Sequence, residues 1–86
     1  MVYVDDAMIP YRQMVMCHMV ADSDGELRAM ALKIGVAQRW YQGDHFDICL
    51  AKRSLAVRYG AKEISQREAV KIRRAARNWP ARMTHK

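Results

Sequence analysis

The sequence has no apolar run that approaches the roughly 20 residues needed to cross a bilayer, although 51% of its 86 residues are hydrophobic. Residues 1–6 lack the basic and apolar regions that begin a secretory signal peptide. The two cysteines, Cys17 and Cys49, are far apart in apolar stretches and form no Cys-x-x-Cys pair. These absences predict a globular cytoplasmic protein with reduced thiols, no membrane partner and no zinc–thiolate site.

Charge is distributed unevenly along the chain. Residues 1–50 carry 4 Lys/Arg and 7 Asp/Glu, a net charge of −3, whereas residues 51–86 carry 11 Lys/Arg and 2 Asp/Glu, a net charge of +9. The whole chain therefore has a net charge of +6. The basic half predicts a surface for an anionic partner, and the acidic half contains the side chains suited to a reaction site.

Alternating strand and helix patterns predict one small α/β domain over residues 1–80, with residues 81–86 as a flexible C-terminal tail. We expect strands at residues 2–4, 14–20, 39–42 and 62–64, in the order β-β-α-β-α-β-α. The three helices would pack on a mostly parallel four-stranded sheet, because strands that alternate with helices are typical of parallel crossovers. The direction of the first strand stays open, since its connector is short for such a crossover.

Helix boundaries are predicted from capping patterns. The segments that begin at Ser23 and Ser65 each have Glu three residues later, which is a capping box. Gly35 is typical of a residue that ends a helix. A second helix is predicted over residues 48–59 with Asp47 as its N-cap, and Pro80 should stop the last one.

Acids and histidines follow several predicted strands. In a parallel sheet, Asp22, Asp44, His45 and Asp47 would meet at the carboxyl edge, where α/β proteins bind ligands. Asp5 would join them only if the first strand were also parallel. Carboxylates and imidazoles together can bind a divalent metal or transfer protons.

These residues predict two kinds of chemistry. The predicted ligands of a divalent Mg, Mn or Zn ion are Asp5, Asp22, His45 and Asp47, and the predicted catalytic pair is His45 and Asp47. The alternatives are that Asp22 and Asp47 only cap helices and that His18, in an apolar strand, is a core residue beneath the site. No HExxH, GxGxxG, P-loop or zinc-finger pattern is present.

The last predicted helix is amphipathic with a cationic outer face. Its predicted nucleic-acid-binding residues are Arg67, Lys71, Arg73, Arg74 and Arg77. Such a face can follow phosphates with an affinity that falls steeply with salt. The alternative is a solvated face that keeps the protein soluble.

Several short patterns together resemble one known family. They are the opening Val2-Tyr3-Val4-Asp5 with a proline soon after, His18, Asp22, Glu26-Leu27, the tetrad Asp44-His45-Phe46-Asp47, Gly60-Ala61 and Arg67-Glu68. This set resembles DUF4031, a small bacterial and phage family described only as a domain of unknown function. The resemblance implies a bacterial or phage setting and a cytoplasmic location, but no activity.

The chain departs from that family at two positions. Phe46 stands where the family usually has tyrosine, so the resemblance supports no role for a phenol hydroxyl there. Arg28 stands where a histidine often follows the Glu-Leu pair, which removes one candidate metal ligand.

Three functions therefore stay open on the sequence alone. The first is a module that binds nucleic acid or another phosphate-rich partner through the basic helix. The second is a metal-dependent phosphoesterase or nuclease with an Asp/His site. The third is a phage-encoded protein that binds a host protein through a patch such as Val70 or residues 9–11. A short edge strand and a small core are also compatible with a homodimer.

Overall fold

In the computed structural model, which describes residues 1–79, one central strand organises the sheet. This strand, β3 (Met14–Ala21), pairs antiparallel along one edge with β1 (Val2–Val4) and β2 (Ile9–Tyr11). Along its other edge it pairs antiparallel with β4 (Phe46–Cys49). The fifth strand, β5 (Lys62–Glu63), lies parallel to β1.

Three helices connect and cover these strands. They are α1 (Asp24–Ile34), α2 (Leu50–Arg58) and α3 (Gln66–Ala75). Short 3₁₀ turns occur at Gln38–Trp40, between α1 and β4, and at Ala76–Asn78, after α3. The predicted α/β class with three helices is confirmed, and none of the described helices is long and apolar enough to cross a membrane.

The sheet is mixed, so the prediction of a mostly parallel four-stranded sheet was wrong in its strand directions and strand number. Within residues 1–79 the pair β1/β5 is the only parallel one. The first reason is a tight turn at Arg12, which has a φ of 57° and folds β2 back on β3 as a hairpin. The second reason is the long segment after α1, which returns the chain to the other edge of β3 in the reverse direction.

Alternation along β3 divides the core between the two faces of the sheet. Met19 and Ala21 pack on one face in the main cluster with Leu27 and Ala31 of α1 and Ala56 of α2. On the opposite face, a smaller cluster joins the sheet to α3. Its members are Val20, Tyr3, Ile64, Ala69 and Ile72. Because α3 covers only part of that face, side chains at the other end of β3 stay accessible.

The predicted helix caps at two places are confirmed. Ser23 accepts a hydrogen bond from the Glu26 N–H, and Gly35 ends α1 with a φ of 83°, a left-handed conformation that glycine adopts without strain. Ser65 and Glu68 form the complete capping box at the start of α3.

Two other local predictions were wrong. Residues 39–42 are not a strand, because the first two belong to the 3₁₀ turn Gln38–Trp40 and the other two pair with no strand. Asp47 is not a helix cap, because it lies within β4 and α2 begins only at Leu50, with Cys49 as its N-cap. The predicted stop at Pro80 and the predicted tail at 81–86 lie outside the described residues.

Candidate metal centre

The register between β3 and β4 places two potential ligands side by side. His18 pairs directly with Asp47, one position from the buried pair Met19 and Phe46. Because side chains alternate along a strand, His18 and Asp47 project from the face opposite Met19 and Phe46. His45, two residues before Asp47, brings its ring to the same face, and the rings of His18 and His45 lie 5.4 Å apart.

Asp5 fixes the orientation of His18. Its carboxylate is fully buried, and Oδ2 lies 2.7 Å from His18 Nδ1. Its other oxygen, Oδ1, accepts hydrogen bonds from the backbone N–H groups of His18 at 2.8 Å and Ala7 at 3.1 Å. An ionised carboxylate can only accept, so Nδ1 of His18 must donate, and the lone pair of its Nε2 faces away from Asp5.

Asp44 performs the same role for His45. Asp44 Oδ1 lies 2.5 Å from His45 Nδ1, and the ring is 91% buried by side-chain area. The same oxygen lies 3.5 Å from Nε of Arg73 on α3. Nδ1 of His45 therefore donates to Asp44 as Nδ1 of His18 donates to Asp5, which leaves Nε2 of both rings as acceptors.

Three acceptor atoms consequently converge on one point. Oδ1 of Asp47 lies 3.7 Å from Nε2 of His18 and 3.5 Å from Nε2 of His45. One ligand atom from each of the three residues lies within 4.8 Å of the others. The two distances to Asp47 Oδ1 are longer than hydrogen bonds and close to the spacing of about 3.3 Å between ligands that surround tetrahedral zinc. Lone pairs that face one another at this distance can hold a cation between them.

Asp47, the third member of the cluster, is also held in place, and it is the most accessible of the three. Asp47 Oδ2 accepts a hydrogen bond of 2.7 Å from Nε2 of Gln42, which leaves Oδ1 directed at the two histidines. The Asp47 side chain is 41% exposed, whereas the His18 side chain is 15% exposed. An ion held here would therefore be covered by the protein on one side and open on the other, which is typical of a catalytic rather than a structural centre.

A groove of about 490 Å³ adjoins this open side. It is bounded by β2, β3, β4 and the 3₁₀ turn Gln38–Trp40. Its lining residues are Ile9, Tyr11, Met14, Met16, His18, Trp40, Gln42 and Asp47. His18, Gln42 and Asp47 form its polar end, and the remaining walls are apolar or aromatic. The volume is within the usual range of small-molecule sites.

The structure brings together some of the residues predicted as ligands and separates others. His45 and Asp47 lie in the cluster. Asp5 contacts His18 rather than the convergence point. Asp22 lies four residues beyond His18, about 13 Å along the chain, where it accepts hydrogen bonds from the Tyr3 hydroxyl. Burial, followed by the Asp22 hydrogen bond, raises the pKa of the Tyr3 hydroxyl above its ordinary value.

His18 is the member of this cluster that the sequence analysis placed beneath the site rather than in it. An apolar strand with one histidine is compatible with a buried core residue, and only the pairing with β4 shows that its ring faces Asp47. The alternation of His45, Phe46, Asp47 and Ile48 between the two faces was a period-two signal for a strand. That signal places His45 and Asp47 on one face.

The predicted nucleic-acid-binding residues lie on α3 and the turn after it. Four of them are exposed, namely Arg67, Lys71, Arg74 and Arg77. Arg67, Lys71 and Arg74 line a shallow groove of about 450 Å³ with Gln66 and Val70. Arg73 is only partly exposed and forms the ion pair with Asp44. None of the described residues that line this groove also lines the groove beside His18 and Asp47.

Comparison with known proteins identifies the family. A model of the family described as a protein of unknown function, DUF4031, matches residues 2–76. Because that match covers most of the 86 residues, the chain belongs to this family. No curated protein and no solved structure matches the chain.

Proposed function

We propose that this protein is a metal-dependent hydrolase that binds one divalent ion between His18, His45 and Asp47. The observation that carries the proposal is the convergence of three acceptor atoms, each oriented by its own hydrogen-bond partner. Carboxylates that orient ligating imidazoles are a regular feature of metal sites, where they fix the tautomer and raise the basicity of the ligand. Both histidines have such a carboxylate.

The ligand types favour zinc among the ions predicted from the sequence. Mg²⁺ prefers oxygen ligands in an octahedron, whereas two imidazoles and one carboxylate are a common set for catalytic Zn²⁺. The same set also binds Fe²⁺ and Mn²⁺. Since three protein ligands leave a position of the ion open to solvent, a water molecule can occupy it.

The chemistry follows from that open position. Bound zinc lowers the pKa of its water to about 7, which makes hydroxide available at neutral pH. Hydroxide would then add to the electrophilic centre of an ester or amide, the bond to the leaving group would break, and the proton released by the water would pass to the leaving group. His18 and His45 would hold the ion, and Asp47 would complete the ligand set at the groove. The phosphoester substrates considered from the sequence fit the same scheme.

Calorimetry with Zn²⁺ tests the metal site directly. The wild-type protein should bind about one equivalent, and His45→Ala should lose measurable binding because a ligand is removed. Asp22→Ala is the matched control, since Asp22 is exposed and lies away from the cluster. Circular dichroism would establish that the variants are folded. Absence of zinc, manganese and iron binding to the folded wild type would refute the proposal, as would equal losses in His45→Ala and Asp22→Ala.

A second function is favoured by the exposed cationic face of α3. We propose that Arg67, Lys71 and Arg74 bind a phosphate-rich partner such as nucleic acid. Their spacing of three and four residues places them in one row along the helix. Each contact with a phosphate releases counterions, so binding should weaken as salt increases.

Charge-reversal variants distinguish DNA binding by this face of α3 from binding that depends only on the net charge of the protein. Glu substitutions at Arg67, Lys71 and Arg74 should abolish the fluorescence-anisotropy signal with duplex DNA at low salt. The matched control reverses three exposed cations elsewhere, Lys33, Arg39 and Arg58, and therefore has the same net charge. If both triple variants lose DNA binding to the same extent, the α3 face is not a binding site. Binding to a host protein, a phage origin, a homodimer and a cytoplasmic location stay predictions.

A further inference from the structure

Exposed apolar side chains collect beside the metal centre. Within residues 1–79, ten large hydrophobic residues are exposed, and Ile9, Tyr11, Met14 and Trp40 all line the groove that contains His18 and Asp47. Trp40 is 57% exposed and Tyr11 is 52% exposed. Keeping such side chains in water has a free-energy cost, so their concentration at one groove indicates an apolar ligand.

Charge argues against a polyanion as the ligand. Among the eight described residues that line the groove, none is lysine or arginine, although Arg12 and Arg39 lie against Tyr11 and Trp40. A divalent ion and Arg73 would be balanced by the formal charges of Asp5, Asp44 and Asp47, so these two arginines carry the positive charge that remains beside the aromatic walls. The cationic row on α3 lines a different groove with three cations. Nucleic acid is therefore better matched by α3 than by this groove.

The side chains of the walls favour a planar aromatic group. Tyr11 and Trp40 both line the groove and each is more than half exposed, so their rings are available for stacking. Methionine sulfur makes favourable contacts with ring edges, and Met14 and Met16 lie in the same lining. Stacking and sulfur contacts both stabilise a bound aromatic ring more than a saturated chain.

We infer that the substrate is a small molecule in which an aromatic ring is attached to the carbonyl of an ester or amide. This inference rests on the proposed hydrolase function and names its substrate class. The carbonyl would lie at the polar end beside His18 and Asp47, and the ring would lie between the apolar walls. Water supplies the hydroxyl group to the acyl carbon and the proton to the alcohol or amine that leaves, so no further reactant is needed.

Two hydroxamic acids test the inference, because both have the same metal-binding head. Benzohydroxamic acid has a phenyl ring where acetohydroxamic acid has a methyl group. Calorimetry on the zinc-loaded protein should show that the phenyl compound binds at least about ten-fold more tightly, since the ring removes additional apolar area from water. Trp40→Ala should remove most of that preference and leave acetohydroxamic acid binding unchanged.

Tyr59→Ala is the matched control. Tyr59 is an aromatic residue with 51% exposure that lies outside the groove, beside Lys33. This variant should keep the full preference for the phenyl compound. The wild type, Trp40→Ala and Tyr59→Ala should bind zinc equally, because neither substitution alters a proposed ligand.

The possible results separate the inference from the function on which it rests. Equal affinity for the two hydroxamic acids would overturn the aromatic substrate and leave the metal centre standing. Failure of the protein to bind zinc would overturn both. Sedimentation that shows a wild-type dimer, with Trp40→Ala a monomer, would assign the groove to a second copy of the chain and overturn the inference.

Discussion

At the scale of single residues, the carboxylates behind the two histidines determine the character of the site. Asp5 is buried and accepts three hydrogen bonds, whereas Asp44 is partly exposed and contacts both His45 and Arg73. Asp5 fixes which ring nitrogen of His18 is the acceptor, and Asp44 does the same for His45. Without these partners a histidine could rotate or present a proton to the ion, and its affinity for metal would fall.

Asp44→Asn should lower zinc affinity about 10- to 100-fold, which is the usual effect of removing the partner of a ligating histidine. Asn keeps the size of the side chain but loses the charge that holds the Nδ1 proton of His45. Competition with a fluorescent zinc chelator would measure the change. Asp22→Asn is the control and should bind as the wild type does. An unchanged affinity in Asp44→Asn would show that Asp44 does not orient His45.

Part of the site could be predicted at this scale. His45 and Asp47 stand out because an imidazole lies among acids in a short segment after a glycine. The partners of His18 could not be predicted in the same way, because Asp5 is 13 residues away and Asp47 is 29 residues away in the chain. Such contacts depend on strand pairing and register, which short-range patterns do not encode.

At the scale of elements, both ends of α1 and the start of α3 were predictable, whereas the start of α2 and the strand pairing were not. Ser23, Gly35 and the pair Ser65 and Glu68 act through hydrogen bonds or backbone angles within a few residues, so the local sequence contains the necessary information. Strand β4 was missed because it is only four residues long and runs directly into α2. Its alternating residues fit a strand, but Asp47 before an apolar segment also fits the N-cap of a helix, and that interpretation was preferred.

The capping box of α3 should make part of the stability depend on pH. Hydrogen bonds from the Ser65 backbone and then its hydroxyl lower the pKa of the Glu68 carboxyl. The contribution is therefore present above the unfolded-state pKa of Glu and is lost as pH falls through the lower folded-state value. Urea unfolding should show the wild type and Glu68→Gln converging as the pH falls through the acidic range. Parallel stability curves for the two proteins would contradict this account.

Phe46→Ala should destabilise β4 and the sheet. Phe46 is fully buried in the main cluster and tilts against the ring of Tyr41 at 5.4 Å. Loss of the ring leaves a cavity, and such changes cost about 3–5 kcal/mol. Urea denaturation would measure this loss. Leu50→Ala at a 41% exposed position should change stability by less than about 0.5 kcal/mol, and a similar cost at both positions would argue against the described packing.

At the scale of the whole molecule, the two faces of the sheet carry different features. One face buries the main core beneath α1 and α2. The other combines the packing of α3, the cluster of His18, His45 and Asp47 and the groove, with the cationic row on the outer side of α3. The division of charge along the sequence predicted this separation of an acidic site from a basic surface, whereas the mixed strand directions depend on connections that composition does not reveal.

Zinc should stabilise the folded protein by mass action. If the ion binds only the folded state, a free concentration 100 times its dissociation constant adds about 2.7 kcal/mol to the free energy of unfolding. For a domain of this size that corresponds to a rise in Tm of roughly 10 °C or more. Differential scanning fluorimetry with and without zinc would measure the shift. His45→Ala should show none, and an equal shift in both proteins would indicate binding elsewhere.

The direct pairing of His18 with Asp47 has a mechanical consequence. An ion coordinated by both would staple the edge strand β4 to the centre of the sheet and close a loop of about 30 residues, as a disulfide does in other small domains. When the ion leaves, β4 would be held only by its pairing with β3 and by the burial of Phe46 and Ile48. Detachment of β4 would uncover the edge of β3, which would offer unpaired backbone groups to a neighbouring chain. Metal depletion would then expose the protein to aggregation before it unfolds globally.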